Sequence, residues 1–197
     1  GVAVIADVTV TFIGLKQGLL TNQAGDFVGE LIYDHLDVPA QVFTSESSPK
    51  PVAQRIDINS TRVMLTPRAI ASHKGSHGHV LVIGGDSSFG GAVIMAAEAA
   101  LRSGAGLVSV ITRSAHRPAL LARRPEVMVL GTEDDNTHID DLISRATTIV
   151  IGPGLGRGSW ARCLMQKALS TQISMDKPLV IDADALHLLA ENREQGT

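Results

Sequence analysis

The sequence predicts an α/β fold in which a mostly parallel sheet lies between two layers of helices, and three observations carry that prediction. Four near-continuous apolar runs, at residues 80–83, 107–111, 148–151 and 178–181, show no polar alternation, as expected of strands buried on both faces. Helical patterns at 91–103, 115–122 and 160–169 lie between them, so the order is βαβ repeated, joined by right-handed crossovers. Glycine-rich or acidic turns follow Ile83, Ile151 and Ile181. Those are the carboxyl ends of strands, where an open parallel sheet binds its ligands.

Upstream of these runs the pattern differs. Residues 2–5 read as strand interior, and the alternation after them sets Val8, Val10 and Phe12 on one face and Thr9 and Thr11 on the other, as a half-buried strand requires. Residues 16–18 supply a turn, and 27–36 form a short amphipathic stretch. The segment 44–51, TSESSPKP, is rich in serine and proline and poor in apolar residues, which makes it the linker candidate. The expected organisation is a first domain at 1–44, a linker at 45–66 and a second domain at 67–197. The chain opens on Gly1 rather than Met, with no charged region ahead of its first apolar residues, so a piece of a longer chain is expected.

Composition limits the function classes. With 197 residues, 44% of them hydrophobic, and a mean hydropathy of +0.17, the chain is expected to build a core. A net charge of -3 spread without long blocks, with only 3% aromatics, argues against a nucleic-acid partner. No apolar stretch reaches the length of a bilayer span, so no membrane partner is expected. Cys163 has no second cysteine to pair with, which fits a reducing, soluble compartment, the cytoplasm.

Three strand exits carry the candidate chemistry. After Ile83 comes GGDSSFGGA, residues 84–92, where glycines allow close backbone approach and Ser87 or Ser88 is placed to cap the following helix. An anion or a ribose suits such a helix start, although by themselves Gly90 and Gly91 favour turn and packing chemistry alone. The helix they open offers a small-residue face of Ala92, Ala96, Ala99, Ala100 and Ser103, with Glu98 and Arg102 paired on its exterior. After Ile151 comes GPGLG, residues 152–156, whose exposed amides suit a phosphate or a flat ring. It is not the dinucleotide fingerprint, because Arg157 stands where that spacing needs its third glycine. After Ile181 comes DADAL, residues 182–186; Asp182 is the active-site candidate and Asp184 the candidate cap of the next helix.

Other polar residues fit quieter roles. His73, His77 and His79 are closely spaced, but Lys74 sits among them and no cysteine or carboxylate completes a metal set. Lys74 is a candidate for phosphate. Arg113, His116, Arg117, Arg123 and Arg124 are expected on a helix surface, residues 133–135 in a loop, and Trp160 and the methionines in packing. No nucleophile elbow is present.

Taken in order, SHKGSHGHVLVIGG, FGGAVIMAAEAALRSGAGLVSV, RPEVM, IVIGPGLG and KPLVIDADALHLLA resemble the carboxyl-terminal domain of the bifunctional NAD(P)H-hydrate repair enzymes. AVIADVTVTFIGLKQGLL is similar to the end of their amino-terminal epimerase domain. The resemblance implies a three-layer ribokinase-like fold, incomplete in this chain, preceded by the tail of a Rossmann-like epimerase domain. It implies ADP-dependent dehydration of hydrated NADH or NADPH, with ATP as the alternative nucleotide, Mg²⁺, and K⁺ for the epimerase half, in a homo-oligomer. The hydrate's hydroxyl is phosphorylated and the phosphate then leaves. The family's substrate positions fall on Ala92 and Gly154, with Gly91 and Asp182 as neighbours. The expected catalytic aspartate and the ADP-binding segment would follow Thr197, and the epimerase's potassium motif would precede Gly1, so the chain alone is expected to be inactive. Two other functions share these glycine loops: a ribokinase-like kinase of a small alcohol such as a vitamin precursor, and a nucleotide-binding module without catalysis.

Overall fold

The computed structural model describes residues 3–45, 48, 50–54, 56–65, 67–133 and 138–194. The chain divides into two units, Gly1–Pro67 and Arg68–Thr197. In the first, β1 (Val8–Phe12) and β2 (Glu30–Asp34) pair in parallel, with Val10 opposite Ile32, and two short helices follow, α1 (Gln41–Thr44) and α2 (Ile58–Met64). Residues 3–6 are not strand, and Val4 and Ile5 are exposed. The alternation in β1 is as expected, but the covered side is the threonine side. Thr11 is buried and the Thr9 hydroxyl donates to the Val28 carbonyl at 2.7 Å, whereas Val8, Val10 and Phe12 are exposed. Helix α2 lies inside the segment expected to be linker; Asp57 caps it by accepting from the Ser60 N–H at 2.7 Å. Residues 46, 47 and 49 of the serine- and proline-rich stretch lie outside the described residues.

The second unit holds five parallel strands: β3 (His79–Ile83), β4 (Leu107–Thr112), β5 (Met128–Gly131), β6 (Thr148–Ile151) and β7 (Leu179–Ile181), in the spatial order β5-β4-β3-β6-β7. Between them run α3 (Gly90–Arg102), α4 (Arg117–Arg123), α5 (Ile139–Arg145) and α6 (Ser159–Met175), and α7 (Ala183–Glu194) follows β7. Alternate residues of β3 enter two cores. Leu81 and Ile83 join Ile149, Ile151, Ile143, Leu164 and Leu188 on one face, and Val82 joins Val108, Val110, Val93, Ala97 and Leu120 on the other. Helices α3 and α4 thus cover one face and α5, α6 and α7 the other, which makes three layers.

Several expectations need correction. The sheet has a fifth strand, β5, which is short and sets Met128 in solvent; the apolar run at 127–130 marks it in the sequence as plainly as the other four runs mark theirs. Met95 and Met175 are also exposed, leaving Met165 as a fully buried methionine. Helix α4 begins at Arg117 rather than 115, after a 3₁₀ turn at Ser114–His116, because Pro118 suits only the first helical turn. Helix α6 continues past Leu169 to Met175 and stops where Asp176 turns left-handed, at φ 49°. Pro178 contributes its carbonyl to Ile149, at 3.0 Å, but does not belong to β7, and Val180 is half exposed on that edge strand. The packed face of α3 is Val93, Ala96, Ala97 and Ala100, turned by one residue from the expected small face, and Ala99 is exposed. Glu98 is not exterior: it is buried between α3 and α4, pairing with Arg102 at 2.8 Å, Arg123 at 2.7 Å and Arg124.

Candidate functional site

The strand order reverses at β3. The chain leaves β3 toward β4 and β5, then returns through α5 to place β6 on the other side of β3. The crevice beyond the carboxyl ends of β3 and β6 is therefore the switch point, where open α/β sheets bind ligands. Two of the three singled-out turns meet there. The Gly85 N–H donates to the Pro153 carbonyl at 3.0 Å, and the Asp86 N–H to the Gly154 carbonyl at 2.7 Å. The third turn abuts them. Gly152, at φ 128°, leaves no room for a side chain against the Asp182 carbonyl, and the Gly156 N–H donates to Asp184 Oδ2 at 2.9 Å.

Among the candidate residues, Ala92 and Gly154 are brought together across this seam. A β-carbon on Gly154, which holds φ 60°, would stand 3.3 Å from the Ala92 Cβ and 2.5 Å from the Phe89 carbonyl. Gly154 is therefore required by packing whether or not a ligand is near. Gly91 is the opposite case: it lies in the first turn of α3, exposed, and an added β-carbon would meet nothing within 4 Å. Its openness leaves backbone accessible at a helix start. Helix α3 carries no side-chain cap; Phe89 is its N-cap residue, and Ser87 turns its N–H to Asp86 Oδ1 at 2.9 Å. Asp182 is exposed at the end of β7, beside Ala183, whose φ of 39° is rarely adopted by residues with side chains. Asp184 lies within the first turn of α7 and clamps the 152–156 loop, so it is no N-cap; Arg157 Nε stands 3.6 Å from its Oδ1. Lys74 is exposed in a 3₁₀ turn ahead of β3, at the opposite end of the sheet. It is not brought to the crevice.

The structure adds residues that the sequence reading had placed elsewhere. Arg113 stands at the exit of β4, not on a helix surface. Its Nε donates to Asp86 Oδ1 at 2.8 Å, its Nη1 to Glu133 Oε1 at 2.9 Å, and its guanidinium lies 4.3 Å from the centre of the Trp160 ring. Trp160 in turn donates to Thr132 Oγ1 at 2.9 Å, and His116 Nε2–H donates to the Asp86 carbonyl at 3.0 Å. Burial works against ionisation of Glu133, yet the Ser114 N–H and Arg113 outweigh it and hold the carboxyl down to about 2. Asp86 is likewise lowered against burial by Arg113 and the Ser87 N–H, and Arg113 is raised against burial by the two carboxylates. Asp134 and Asp135, grouped with Glu133 in the sequence, lie outside the described residues.

The family model for NAD(P)H-hydrate dehydratase matches residues 80–197, from β3 through α7. The chain belongs to the NAD(P)H-hydrate dehydratase family. Over 197 residues it is 47% identical to the bifunctional NAD(P)H-hydrate repair enzyme of Coxiella burnetii, an alignment that takes in 99% of this chain and 38% of that protein. The chain thus spans less than two fifths of that relative's length. Among solved structures, a ribokinase-like superfamily protein from Enterococcus faecalis V583 is 38% identical with a TM-score of 0.62, over 65% of this chain and 44% of that one. The ADP/ATP-dependent NAD(P)H-hydrate dehydratase of Bacillus subtilis, co-crystallised with ATP and Mg²⁺, is 27% identical with a TM-score of 0.53, over 65% and 45%. The dehydratase-family unit is accordingly ribokinase-like, as the resemblance implied.

Among the described residues no group of three or more His, Cys, Asp or Glu side chains could hold a metal ion. At the crevice the Asp86 and Asp184 carboxylates already serve Arg113 and the 156 amide. Two of the three clustered histidines are engaged as well: His77 Nε2 lies 3.0 Å from Ser72 Oγ, and buried His79 lies 2.7 Å from Ser109 Oγ, its basicity lowered first by burial. No helix among the described residues is long and apolar enough to cross a membrane.

Proposed function

We propose that this chain carries the substrate-side wall of an ADP-dependent NAD(P)H-hydrate dehydratase. The observation that carries the reading is the seam at the switch point, where the 84–92 and 152–156 turns, both within the family match, close on each other and bring Ala92 against Gly154. In this reading Ala92 and Gly154 contact the (6S)-NAD(P)H hydrate, the open backbone at Gly91 lets the ligand approach the uncapped start of α3, and Asp182 flanks the same edge. Small residues suit this task because the ligand is bulky and must lie close to the backbone.

The reaction consumes hydrate and ADP and yields NAD(P)H, AMP and phosphate. The nucleotide supplies the phosphoryl group that turns the hydrate's hydroxyl into a leaving group. This chain's residues orient the hydrate and exclude water from one side. The catalytic aspartate and the nucleotide-binding segment are assigned to the part of its relatives' length that this chain does not span. ATP is the alternative nucleotide. Residues 1–44 are proposed as the end of an epimerase domain that interconverts R and S hydrates, with 45–66 as linker and 67–197 as the first part of the dehydratase. Potassium belongs to that epimerase activity and is assigned no residue here. Lys74, placed away from the crevice, is given no role in holding the nucleotide. A homo-oligomer in the cytoplasm completes the reading; unpaired Cys163 suits that reducing compartment.

The test is turnover. The protein made from the complete open reading frame that encodes this sequence should convert hydrated NADH or NADPH to the reduced cofactor with ADP, releasing AMP and phosphate. The 197-residue chain alone should not. A stable phosphate ester in place of free phosphate would establish a small-alcohol kinase, and binding without turnover by the complete frame would establish a non-catalytic module.

A further inference from the structure

We propose that Arg113 is a positioning residue for this site: by gripping Asp86 it fixes the 84–91 loop in the shape that receives the substrate, an inference that rests on the substrate reading of Ala92 and Gly154. One guanidinium ties together four successive segments of the carboxyl edge. It leaves β4, bonds Asp86 after β3 and Glu133 after β5, and stacks on Trp160 at the head of α6. Asp86 is where that grip meets the seam. Its N–H donates to the Gly154 carbonyl and its own carbonyl accepts from His116, while its Oδ2 would lie 2.8 Å from a β-carbon on Gly156. Moving the Asp86 carboxylate therefore moves both turns of the seam together.

The chemistry calls for arginine specifically. Two hydrogen bonds leave the guanidinium edge while its flat face lies on an indole, and an ammonium group cannot do both. The pair is also sheltered: the side chains of Arg113 and Asp86 are each only 25% exposed. Screening by water and salt is correspondingly weaker than for a surface pair. The guanidinium's edge is engaged by Asp86 and Glu133 and its face by Trp160, so the role is to hold the loop rather than to touch the hydrate.

The experiment compares R113M, R113K and D86N in the protein from the complete open reading frame, with E98Q as a control that disturbs a charge cluster elsewhere on α3 and α4. Hydrate KM, ADP KM, kcat, thermal midpoint and amide exchange at Gly85 and Asp86 are measured for each. R113M and D86N should raise the hydrate KM by roughly tenfold to a hundredfold, with smaller changes in kcat and ADP KM, as expected when a reactant is misplaced. R113K should recover only part of the loss, and E98Q should lower the midpoint without moving the hydrate KM. An unchanged hydrate KM in R113M and D86N, with a midpoint lowered as in E98Q, would reduce Arg113 to scaffold and overturn the proposal. Should R113M not fold, near-isosteric D86N decides alone. If the unsubstituted protein does not turn over the hydrate, the substrate reading fails instead. Amide exchange at Gly85 and Asp86, about tenfold faster or more in D86N but not in E98Q, then still decides whether the clamp holds the loop.

Discussion

Strand β1 alternates apolar residues with threonine and β3 runs apolar from Val80 to Ile83, yet even the apolar face of β1 stays exposed. In β3, Leu81, Val82 and Ile83 have no exposure at all, while in β1 Val8, Val10 and Phe12 are 45 to 49% exposed. The difference lies in what covers them. Helices lie on both faces of β3, so alternate residues enter separate cores. In the first unit, β1 has one parallel partner, and among its described residues Val28 is the only apolar side chain counted as buried. Periodicity marks which residues are fit for burial; a covering layer decides whether they are buried.

Paired truncations test that contrast at its widest. Ile83→Ala should cost about 2–5 kcal/mol, through lost transfer energy and the cavity left behind. Val10→Ala, on an exposed face, should stay within about 0.5 kcal/mol. Urea unfolding monitored by circular dichroism measures both, and equal losses would show that the first unit has a core of its own. A smaller contrast separates the two glycines at the seam. Gly154→Ala forces a side chain into a left-handed position against the Phe89 carbonyl and should destabilise by about 1–3 kcal/mol. Gly91→Ala meets empty space at the start of a helix and should be neutral or stabilising by up to about 1 kcal/mol. Its effect belongs to the ligand: Gly91→Ala should raise the hydrate KM in the complete protein without lowering the thermal midpoint. A normal KM would remove Gly91 from the contact surface.

The parts of the second unit that could be read from sequence are those whose signal is local. The runs at 80–83, 107–111 and 148–151 are strands because continuous apolar residues need cover on both faces. The glycine turns fall at strand exits, so the switch-point rule alone brings Gly84 and Gly152 to one edge. The clamp on that edge was less legible. Asp86 and Arg113 are 27 residues apart and Arg113 and Glu133 are 20 apart, so their meeting depends on strand order, which local patterning does not encode. A usable signal did exist, because Arg113 comes one residue after the 107–111 run, at a strand exit as Gly84 is after 80–83, and the rule that singled out one applies to the other. Glu98 was misplaced for a similar reason. Its local partner Arg102 suggests a solvated pair, whereas Arg123 and Arg124, which bury it, arrive from α4. Asp184 carried the sequence mark of a cap, and only the arrival of Gly156 from another strand exit shows that its acceptor serves a neighbouring loop.

The Glu98 cluster yields the smallest effect and sharpens the contrast in another variable, pH. Hydrogen bonds from Arg124 first and Arg123 next hold the Glu98 carboxyl down to about 2, against an ordinary value of 4.5. A group whose value is depressed on folding takes up its proton more readily in the unfolded chain, so its contribution is complete above about pH 4.5 and is lost as the pH falls toward 2. Glu133 is held to about 2 as well and acts in the same window. The thermal midpoint of the second unit should therefore fall on acidification through that range. Glu98→Gln should lower the midpoint at pH 7, because three arginines lose their shared carboxylate, and should leave a shallower decline in acid, since only Glu133 of the two remains to be protonated. Thermal melts of both proteins from pH 7 to 3 check the slope. Parallel declines would mean that the arginines do not hold Glu98 ionised in solution, and that the tie between α3 and α4 rests on the apolar contacts of Val93, Ala97 and Leu120 alone.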